Sequence, residues 1–360
     1  MSKNKKIAVI GTVGIPAKYG GFETLVENLV DNLGERFDFT VYCSKKSYDI
    51  YPKRHKNAKL VYLSFKANGI SSILYDVLSV LHSLFYADVI LVLGVSGAFV
   101  LPFVKFLTKK IIITNIDGLE WKRDKWGRLA KKYLKKQEEI ATKYSHHVVV
   151  DNEGIRQHVK FSYSKSSHLI SYGGDHVFNV SLKQETIDKF NLPKTFAFKV
   201  CRIEPENNIQ LILEAFSESE TNLVIVGNWN NNEYGKNLKK AYNKKNIYLL
   251  DPIYNQEQLN EIRSNCFLYI HGHSAGGTNP SLVEAMCLGL PILAFNVSYN
   301  KFTTHNEALY FQNKEELVAN LKLISKNPNI LKNNSIKMKE ISLKEYKWHI
   351  ISDKYKKLFV

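Results

Sequence analysis

Short apolar runs alternate with amphipathic segments along the whole chain. The runs are rich in Val, Ile and Leu, as at residues 7–10 and 89–93, and are typical of strands buried on both faces of a parallel sheet. The segments between them carry apolar residues at helical spacing. The pattern therefore predicts an α/β protein whose sheets are covered by helices on both faces.

The alternation occurs as two successive series. The first predicts strands at residues 6–11, 37–43, 59–63, 88–93, 110–115, 146–151 and 168–171, with helices near 22–33, 71–86, 97–107 and 127–144. The second predicts strands at residues 196–201, 222–226, 247–250, 266–271, 291–295 and 309–311, with helices near 208–217, 256–264, 281–288 and 314–325. A basic, aromatic helix from about residue 330 closes the chain.

The run Ser171-Tyr-Gly-Gly-Asp175 separates the two series and is dense in residues that favour turns. A chain of 360 residues is also long for a single core. We therefore predict a first domain at residues 1–172, a second at 173–335, and a C-terminal helix at 336–360 that crosses back to the first domain. A ligand site is expected in a cleft between the two domains.

Positive charge is concentrated in the first domain. Residues 1–172 hold 27 Lys and Arg against 15 Asp and Glu, in a chain whose net charge is +16. Eight of these cations lie between Lys122 and Lys136. Such a cluster attracts phosphates or an anionic membrane surface, although a solvated helix face gives the same pattern.

Three features bear on the compartment. The four cysteines lie far apart in apolar segments without a C-x-x-C pair, which predicts reduced core thiols. The first apolar run is too short for a signal-peptide core, and Gly, Pro and charged residues interrupt the apolar stretch at 85–107, which is predicted as a strand, a turn and a helix. We expect a cytoplasmic protein, and any contact with a membrane would be peripheral.

A long glycine-containing loop follows the first strand and leads into a helix. It does not have the G-x-G-x-x-G spacing, and the second strand ends in Tyr42-Cys43-Ser44 without an acid for a ribose, so an NAD-dependent enzyme is disfavoured. The amides of Gly20 and Gly21 at the helix start would suit a phosphate. A tight structural turn explains the two glycines equally well.

The most specific segment is His271 to Glu284, with the sequence HGHSAGGTNPSLVE. A predicted strand ends there, a loop of small and polar residues follows, and Asn279-Pro280-Ser281 begins a helix that carries Glu284. This order directs N–H groups to one point beyond the carboxyl edge of a sheet, where an anionic or hydroxyl-rich ligand would bind. The alternative is a well-capped helix with a solvated glutamate.

These segments resemble those of the retaining family 4 glycosyltransferases, which have the GT-B fold, and in particular those of the bacterial rhamnosyltransferases. The resemblance covers nearly the whole chain. It rests on residues 11–27, Asn115-Ile-Asp117-Gly-Leu-Glu120-Trp121-Lys-Arg, Tyr172-Gly-Gly-Asp175, residues 201–207, residues 250–254 and residues 276–286. It implies two Rossmann-like domains that face each other across a cleft and bind a nucleotide-diphosphate sugar.

The resemblance also implies roles for individual residues. Glu284 would accept hydrogen bonds from the nucleotide ribose, and Arg202 would bind the donor diphosphate and stabilise the leaving group. Taken alone, Arg202 is equally explained by a surface ion pair, and we expect Glu284→Ala to reduce turnover with little loss of folding. The implied nucleotide site also includes Gly227, Asp251 and Tyr254, and the implied substrate site includes Gly20, Gly21, Glu120, His273, Gly276, Gly277, Thr278, Asn279 and Ser281.

Two positions depart from the family pattern. Its E-x7-E spacing requires a glutamate where this chain has Gly276, so backbone amides or Thr278 and Asn279 would hold the sugar hydroxyls. The basic residue five positions after Arg202 is replaced by Asn207, which leaves less positive charge near the diphosphate. The first departure is expected if the donor carries a deoxysugar such as rhamnose.

Asp117 is the candidate carboxylate for the acceptor, since it follows a predicted strand and could orient the acceptor hydroxyl or share its proton. A turn-forming Asp before Gly is the alternative, and Glu120 is a second candidate in the same loop. The chain has no D-x-D or H-E-x-x-H motif, so no metal and no other cofactor is expected. His271 and His273 would face opposite sides of a strand end.

The resulting hypothesis is transfer of L-rhamnose from dTDP-L-rhamnose to a lipid-linked saccharide acceptor in cell-surface polysaccharide synthesis, with retained anomeric configuration. One alternative is transfer of glucose, galactose or N-acetylhexosamine from a UDP-sugar on the same fold, and another is a nucleotide-sugar epimerase. A nucleic-acid-binding protein is disfavoured because helix-turn-helix, zinc and RNP signatures are missing from the sequence.

Overall fold

The computed structural model describes residues 4–17, 20–116, 118–123 and 126–360. Two compact units are formed, one by Met1–Tyr172 with Trp348–Val360 and one by Gly173–Lys347. Each unit is built on its own mainly parallel sheet, with helices connecting the strands. The predicted α/β class with two Rossmann-like units is confirmed.

The elements follow one another in the alternating order that the sequence predicts. The strands are β1 (Lys6–Ile10), β2 (Asp38–Ser44), β3 (Arg54–His55), β4 (Ala58–Leu63), β5 (Val89–Leu93), β6 (Ile111–Ile116), β7 (His147–Val150), β8 (His168–Leu169), β9 (Ala197–Val200), β10 (Leu223–Val226), β11 (Ile247–Leu250), β12 (Leu268–His271), β13 (Ile292–Phe295) and β14 (Leu309–Phe311). The helices are α1 (Gly21–Leu33), α2 (Ser71–Ser83), α3 (Leu101–Leu107), α4 (Arg128–Tyr144), α5 (Glu153–Tyr163), α6 (Gln184–Phe190), α7 (Ile209–Ser217), α8 (Glu233–Ala241), α9 (Gln256–Ser264), α10 (Pro280–Leu288), α11 (Ser298–Thr303), α12 (Lys314–Lys326), α13 (Asn329–Glu345) and α14 (Trp348–Phe359).

The first unit has an eight-stranded sheet in the order β3-β4-β2-β1-β5-β6-β7-β8. All neighbours are parallel except β3 and β4, which form a short antiparallel pair. Helices α1 and α14 pack on one side of the sheet, whereas α2, α3 and α4 pack on the other. The central strands are therefore covered by helices on both faces. This explains why their residues are apolar throughout instead of alternating between apolar and polar.

The C-terminal segment differs from the prediction. A single helix is predicted from about residue 330, with the crossing back at residue 336, but the structure has two helices and only α14 joins the first unit. Helix α13 stays in the second unit because Met338 and Ile341 are buried in its core. The chain turns at Tyr346, whose carbonyl accepts a hydrogen bond from the Gly174 amide (2.8 Å).

The second unit has a fully parallel six-stranded sheet in the order β11-β10-β9-β12-β13-β14. The chain runs outward from β9 to β11 and then returns to place β12 on the other side of β9. The strand order therefore reverses between β9 and β12, and the crevice at the carboxyl ends of such strands is the usual ligand position in open α/β sheets.

Two further expectations concern the cysteines and the membrane. All four cysteines are free thiols; Cys43, Cys266 and Cys287 are buried and Cys201 is half-buried. Among the described residues, no helix has the length and apolar character needed to cross a bilayer.

Candidate active site

The candidate site of the second unit lies at the carboxyl edge of its sheet, between β9 and β12. Arg202 follows β9 directly after Cys201, and the loop at residues 272–279 connects β12 with α10. Because both strands end at the same edge, the topology brings together the two segments that the sequence singles out.

Hydrogen bonds join the loops that follow β9 and β12. Asn207 donates through Nδ2 to the Arg202 carbonyl (2.8 Å), and its Oδ1 lies 3.1 Å from His273 Nδ1. The Ser274 amide donates to the Glu206 carbonyl (2.9 Å). Asn207, which replaces a basic residue of the family pattern, is therefore a bridge that fixes the two loops against each other.

Gly272 allows the close approach of these loops. Asn208 Nδ2 donates to the Gly272 carbonyl (2.8 Å), and a Cβ at residue 272 would lie 2.2 Å from the Asn207 carbonyl oxygen. A side chain at this position would force the two backbones apart.

We expect Gly272→Ala to lower the free energy of unfolding of the protein by about 1–3 kcal/mol, since a Cβ overpacks the junction. Urea unfolding measures the effect. Gly127→Ala is the matched control because a Cβ at Gly127 would meet nothing within 4 Å. Equal stability of the two variants would contradict the account of the junction.

Small and polar residues of the 272–279 loop shape the start of α10. Gly276 has φ 92°, in the left-handed region that favours glycine. Asn279 caps α10, since its Oδ1 accepts from the Ser281 amide (3.0 Å) and the Ser281 hydroxyl (2.8 Å). Thr278 Oγ1 lies 3.2 Å from Thr303 Oγ1. These polar side chains hold the loop in shape, and their direct contact with a sugar stays a prediction.

Glu284 on α10 is an ionised carboxylate between two basic side chains. Its Oε2 forms an ion pair with Arg263 Nη1, and its Oε1 lies 3.2 Å from His176 Nε2. Burial opposes the charge, but Arg263 and His176 outweigh it and hold the pKa of Glu284 below its ordinary value of 4.5. Sequence reasoning missed both partners, although His176 directly follows the Tyr172-Gly-Gly-Asp175 motif.

The Arg202 guanidinium is an exposed cation at this edge. Its side chain is 47% exposed, and its Nε lies 3.9 Å from Glu204 Oε2. An exposed pair at this distance is weak, so the guanidinium can turn toward a phosphate at little cost. The position agrees with the diphosphate contact that the resemblance implies, and the contact itself stays a prediction.

Two histidines end the β12 segment. His273 is buried, and its carbonyl accepts from Asn300 Nδ2 (2.9 Å). His271 is also buried and packs on the Tyr269 ring, with centroids 6.0 Å apart. Burial, together with the charges of Lys199 and His273, holds the pKa of His271 well below its ordinary value. In the part of the chain that the structure describes, no group of three or more His, Cys, Asp or Glu side chains is placed to hold a metal ion.

The other residues assigned to the nucleotide are spread along the sheet edge. Gly227 follows β10, and a Cβ there would lie 2.7 Å from the Cys201 carbonyl oxygen. Asp251 and Tyr254 follow the edge strand β11; Asp251 forms an ion pair with Lys239 (3.0 Å), and Tyr254 is exposed. Gly227 therefore adjoins the candidate site, whereas Asp251 and Tyr254 lie toward the outer edge of the sheet.

In the first unit, the glycine loop after β1 already holds an anion. Glu23 Oε1 accepts from the Val13 amide (2.7 Å) and the Thr12 hydroxyl (2.8 Å). A Cβ at Gly20 would lie 1.9 Å from Glu23 Oε2, so glycine is needed for the carboxylate to fold back over the start of α1, which is Gly21. A phosphate here would meet the charge of Glu23, a residue that sequence reasoning missed. The phosphate contacts of the two glycines stay a prediction.

The loop after β6 holds the candidates for the acceptor. Asp117 lies outside the described residues. Glu120 starts a 3-10 turn and accepts from Arg123 Nε (3.0 Å) and Trp126 Nε1 (3.0 Å). Its carboxylate thus holds this loop together, and a role toward an acceptor stays a prediction.

Comparison with known families identifies the class of protein. Residues 183–341 match the family described as Glycosyl transferases group 1, and residues 4–175 match one described as Domain of unknown function (DUF1972). Together with the fold, the first match defines the protein as a glycosyltransferase of the GT-B fold. The match lies within the second unit of the chain.

Solved structures share this fold over nearly their full length. Sucrose-phosphate synthase from Thermosynechococcus elongatus is 15% identical, with a TM-score of 0.82 over 99% of this chain and 98% of that one. HepE from Anabaena, in complex with UDP and glucose, is 10% identical, with a TM-score of 0.76 over 98% of this chain and 99% of that one. A putative UDP-N-acetylglucosamine 2-epimerase from Listeria monocytogenes is 16% identical, with a TM-score of 0.62 over 98% of this chain and 94% of that one.

Proposed function

We propose that the protein transfers L-rhamnose from dTDP-L-rhamnose to a lipid-linked saccharide at the inner face of the cytoplasmic membrane, with retained anomeric configuration. The observation that carries the donor class is the junction of the two loops that follow β9 and β12, where the strand order of the sheet reverses. At this junction Asn207 joins the loop that contains Arg202 to the loop that contains His273. The HepE structures, which contain UDP with glucose or UDP-glucose, support a nucleotide sugar as the donor on this fold.

In this proposal Arg202 and Glu284 bind opposite parts of the donor. Arg202 stabilises the charge that develops on the leaving diphosphate. Glu284 accepts hydrogen bonds from the ribose hydroxyls, because a carboxylate has about four lone-pair sites and Arg263 and His176 leave some of them available. The bond between the sugar and the diphosphate breaks, the acceptor oxygen attacks from the same face, and the leaving phosphate takes the acceptor proton.

The deoxysugar part of the proposal is supported by the loop before α10. Gly276 supplies no carboxylate at the position where the family pattern has one, and Thr278 and Asn279 are engaged within the protein. A sugar with fewer hydroxyl groups leaves fewer polar contacts to be made at this point.

The donor is tested with a panel of dTDP-L-rhamnose, UDP-glucose, UDP-galactose and UDP-N-acetylglucosamine, each with a lipid-linked saccharide acceptor. We expect transfer from dTDP-L-rhamnose. Saturating dTDP, at about 100 times its Kd, should stabilise the folded protein by about 2.7 kcal/mol in a thermal-shift experiment with UDP and GDP alongside. Transfer from a UDP-hexose and none from dTDP-L-rhamnose would overturn the donor assignment.

A second candidate function is epimerisation of a nucleotide sugar, which the similarity to the putative Listeria monocytogenes epimerase favours. The two functions differ in their need for an acceptor. Conversion of the nucleotide sugar with no acceptor present would support the epimerase, and acceptor-dependent release of the nucleotide would support the transferase.

A further inference from the structure

Helix α2 carries leucines outward and polar residues inward. Leu74, Leu78 and Leu81 are 54%, 40% and 46% exposed. The buried side of the helix includes four polar residues, Ser72, Asp76, Ser79 and Ser83. A surface helix ordinarily has the opposite arrangement. These leucines are therefore not part of the hydrophobic core of this unit.

The exposed apolar stripe extends beyond both ends of α2. Ile70 and Phe85, which flank the helix, are 85% and 89% exposed. The spacing of three or four residues between successive members of this series places them on one side of the helix. No charged residue interrupts the stripe.

Helix α3 also exposes large apolar side chains. Phe103, Phe106 and Leu107 are 66%, 75% and 79% exposed. Tyr75 of α2 and Val104 of α3 belong to one core cluster, so both helices cover the same side of the sheet. We call the outward surfaces of α2 and α3 the apolar face. Single exposed apolar residues are ordinary, but this many on two helices that cover the same side of one sheet mark a site of interaction.

Helix α4 borders the apolar face with positive charge. It packs beside α3, where the Tyr144 ring lies 6.0 Å from the Phe106 ring. Lys132, Lys135 and Lys136 of α4 line a shallow cavity of about 220 Å³ together with Glu139 and Tyr163. A cavity of this size exceeds the volume of several water molecules, so it can admit a phosphate headgroup.

We propose that the apolar face and the α4 lysines bind the surface of an anionic lipid bilayer. The leucine and phenylalanine side chains enter the boundary between headgroups and acyl chains, and the lysines contact lipid phosphates. A second copy of this chain fits less well, because each copy carries a net charge of +16, which opposes self-association. The inference rests on the membrane location in the proposed function and deepens it by naming the surface that binds, but it does not depend on the donor sugar.

The test is flotation of the full-length protein with two kinds of vesicle, one of phosphatidylcholine with an equal part of phosphatidylglycerol and one of phosphatidylcholine alone. We expect binding to the anionic vesicles. Leu74→Glu/Leu78→Glu should reduce it by at least about tenfold, because each substitution removes an exposed apolar side chain that would enter the bilayer and adds a charge that anionic lipid repels. Lys132→Glu/Lys135→Glu should also reduce it, and raising the salt concentration should weaken binding of the wild type.

The matched control is Leu323→Glu/Leu343→Glu, which changes two leucines of α12 and α13 that are 50% and 46% exposed. We expect this variant to bind anionic vesicles like the wild type. Circular dichroism shows whether each variant is folded, and the lysine variant keeps the test decisive if Leu74→Glu/Leu78→Glu does not fold.

Two outcomes would overturn the proposal. One is wild-type protein that does not float with anionic vesicles. The other is a wild-type dimer in sedimentation that Leu74→Glu/Leu78→Glu converts to a monomer without changing vesicle binding, since the apolar face would then join two copies. Flotation needs neither donor nor acceptor, so its failure is distinct from failure of the proposed sugar transfer.

Discussion

Replacing Arg202 with alanine is expected to lower kcat for sugar transfer by about 10²- to 10³-fold, the usual effect of removing one charge-stabilising donor from a transition state. The free energy of unfolding should change by no more than about 0.5 kcal/mol. Stability is spared because the side chain is 47% exposed and its Nε lies 3.9 Å from Glu204 Oε2, which makes only a weak ion pair. Steady-state kinetics and urea unfolding of the same preparation give the two quantities.

Two further variants make the Arg202 experiment specific. Arg202→Lys should restore only part of the rate, since an ammonium group lacks the planar fork that binds a diphosphate through two N–H groups. Lys240→Ala removes an exposed cation from α8 in the same unit and should leave kcat unchanged. A normal kcat in Arg202→Ala would remove Arg202 from the donor site.

Replacing Glu284 with alanine is expected to destabilise the protein by about 3–5 kcal/mol, besides reducing turnover, because it breaks a buried ion pair and leaves one charge behind. The sequence alone suggests little loss of folding, and the structure corrects this expectation. The Arg263 side chain is 6% exposed and Glu284 is 16% exposed, so Arg263 would lose its carboxylate partner in a poorly solvated position. Urea unfolding measures the loss.

The structural and catalytic parts of Glu284 can be separated. In Arg263→Met/Glu284→Gln no buried guanidinium is left unpaired, so most of the stability should return while turnover stays low. Glu257→Ala breaks an exposed ion pair with Lys183 in the same unit and should cost less than about 1 kcal/mol. The Glu284 assignment fails if Glu284→Ala is both as stable and as active as the wild type.

The strands were predictable because a parallel sheet covered on both faces requires uninterrupted apolar runs. Only the two-residue strand β3 is missing from the predicted set, since a short antiparallel edge pair needs no such run. Helices α5, α6, α8 and α11 were not predicted from the spacing of apolar residues. Caps help to define two of them, since Asn152 and Asn232 accept hydrogen bonds from the Gly154 and Gly235 amides at the starts of α5 and α8.

Helix α2 shows a different limit of sequence reasoning. Its leucine spacing predicts a helix, and the structure has one, but the spacing also suggests that the leucines face the core. The structure instead buries serines whose hydroxyls bond to the chain nearby, as Ser79 Oγ does with the Tyr75 carbonyl (2.7 Å). The spacing of apolar residues shows that the two sides of a helix differ in character. It does not show which side packs against the rest of the protein.

At the candidate site, motifs located Arg202, His273 and Glu284 because local sequence determines where a strand ends and a helix begins. The partners of Glu284 could not be found in this way. Arg263 lies 21 residues before Glu284, on α9, and comes beside it only through packing of two helices. A contact that forms only through tertiary packing has no characteristic residue spacing, so it cannot be recognised in the sequence.

The return of α14 to the first unit has a consequence for synthesis of the chain. The core of that unit includes Ile351, Tyr355 and Phe359, and Asn115 in the middle of its sheet donates to the Tyr355 hydroxyl (2.7 Å). The ribosome must therefore make all of Gly173–Lys347 before this core can close, a wait on the order of ten to thirty seconds at common rates of translation. The second unit can fold as it emerges, so the half of the protein that is made first is the half that is finished last.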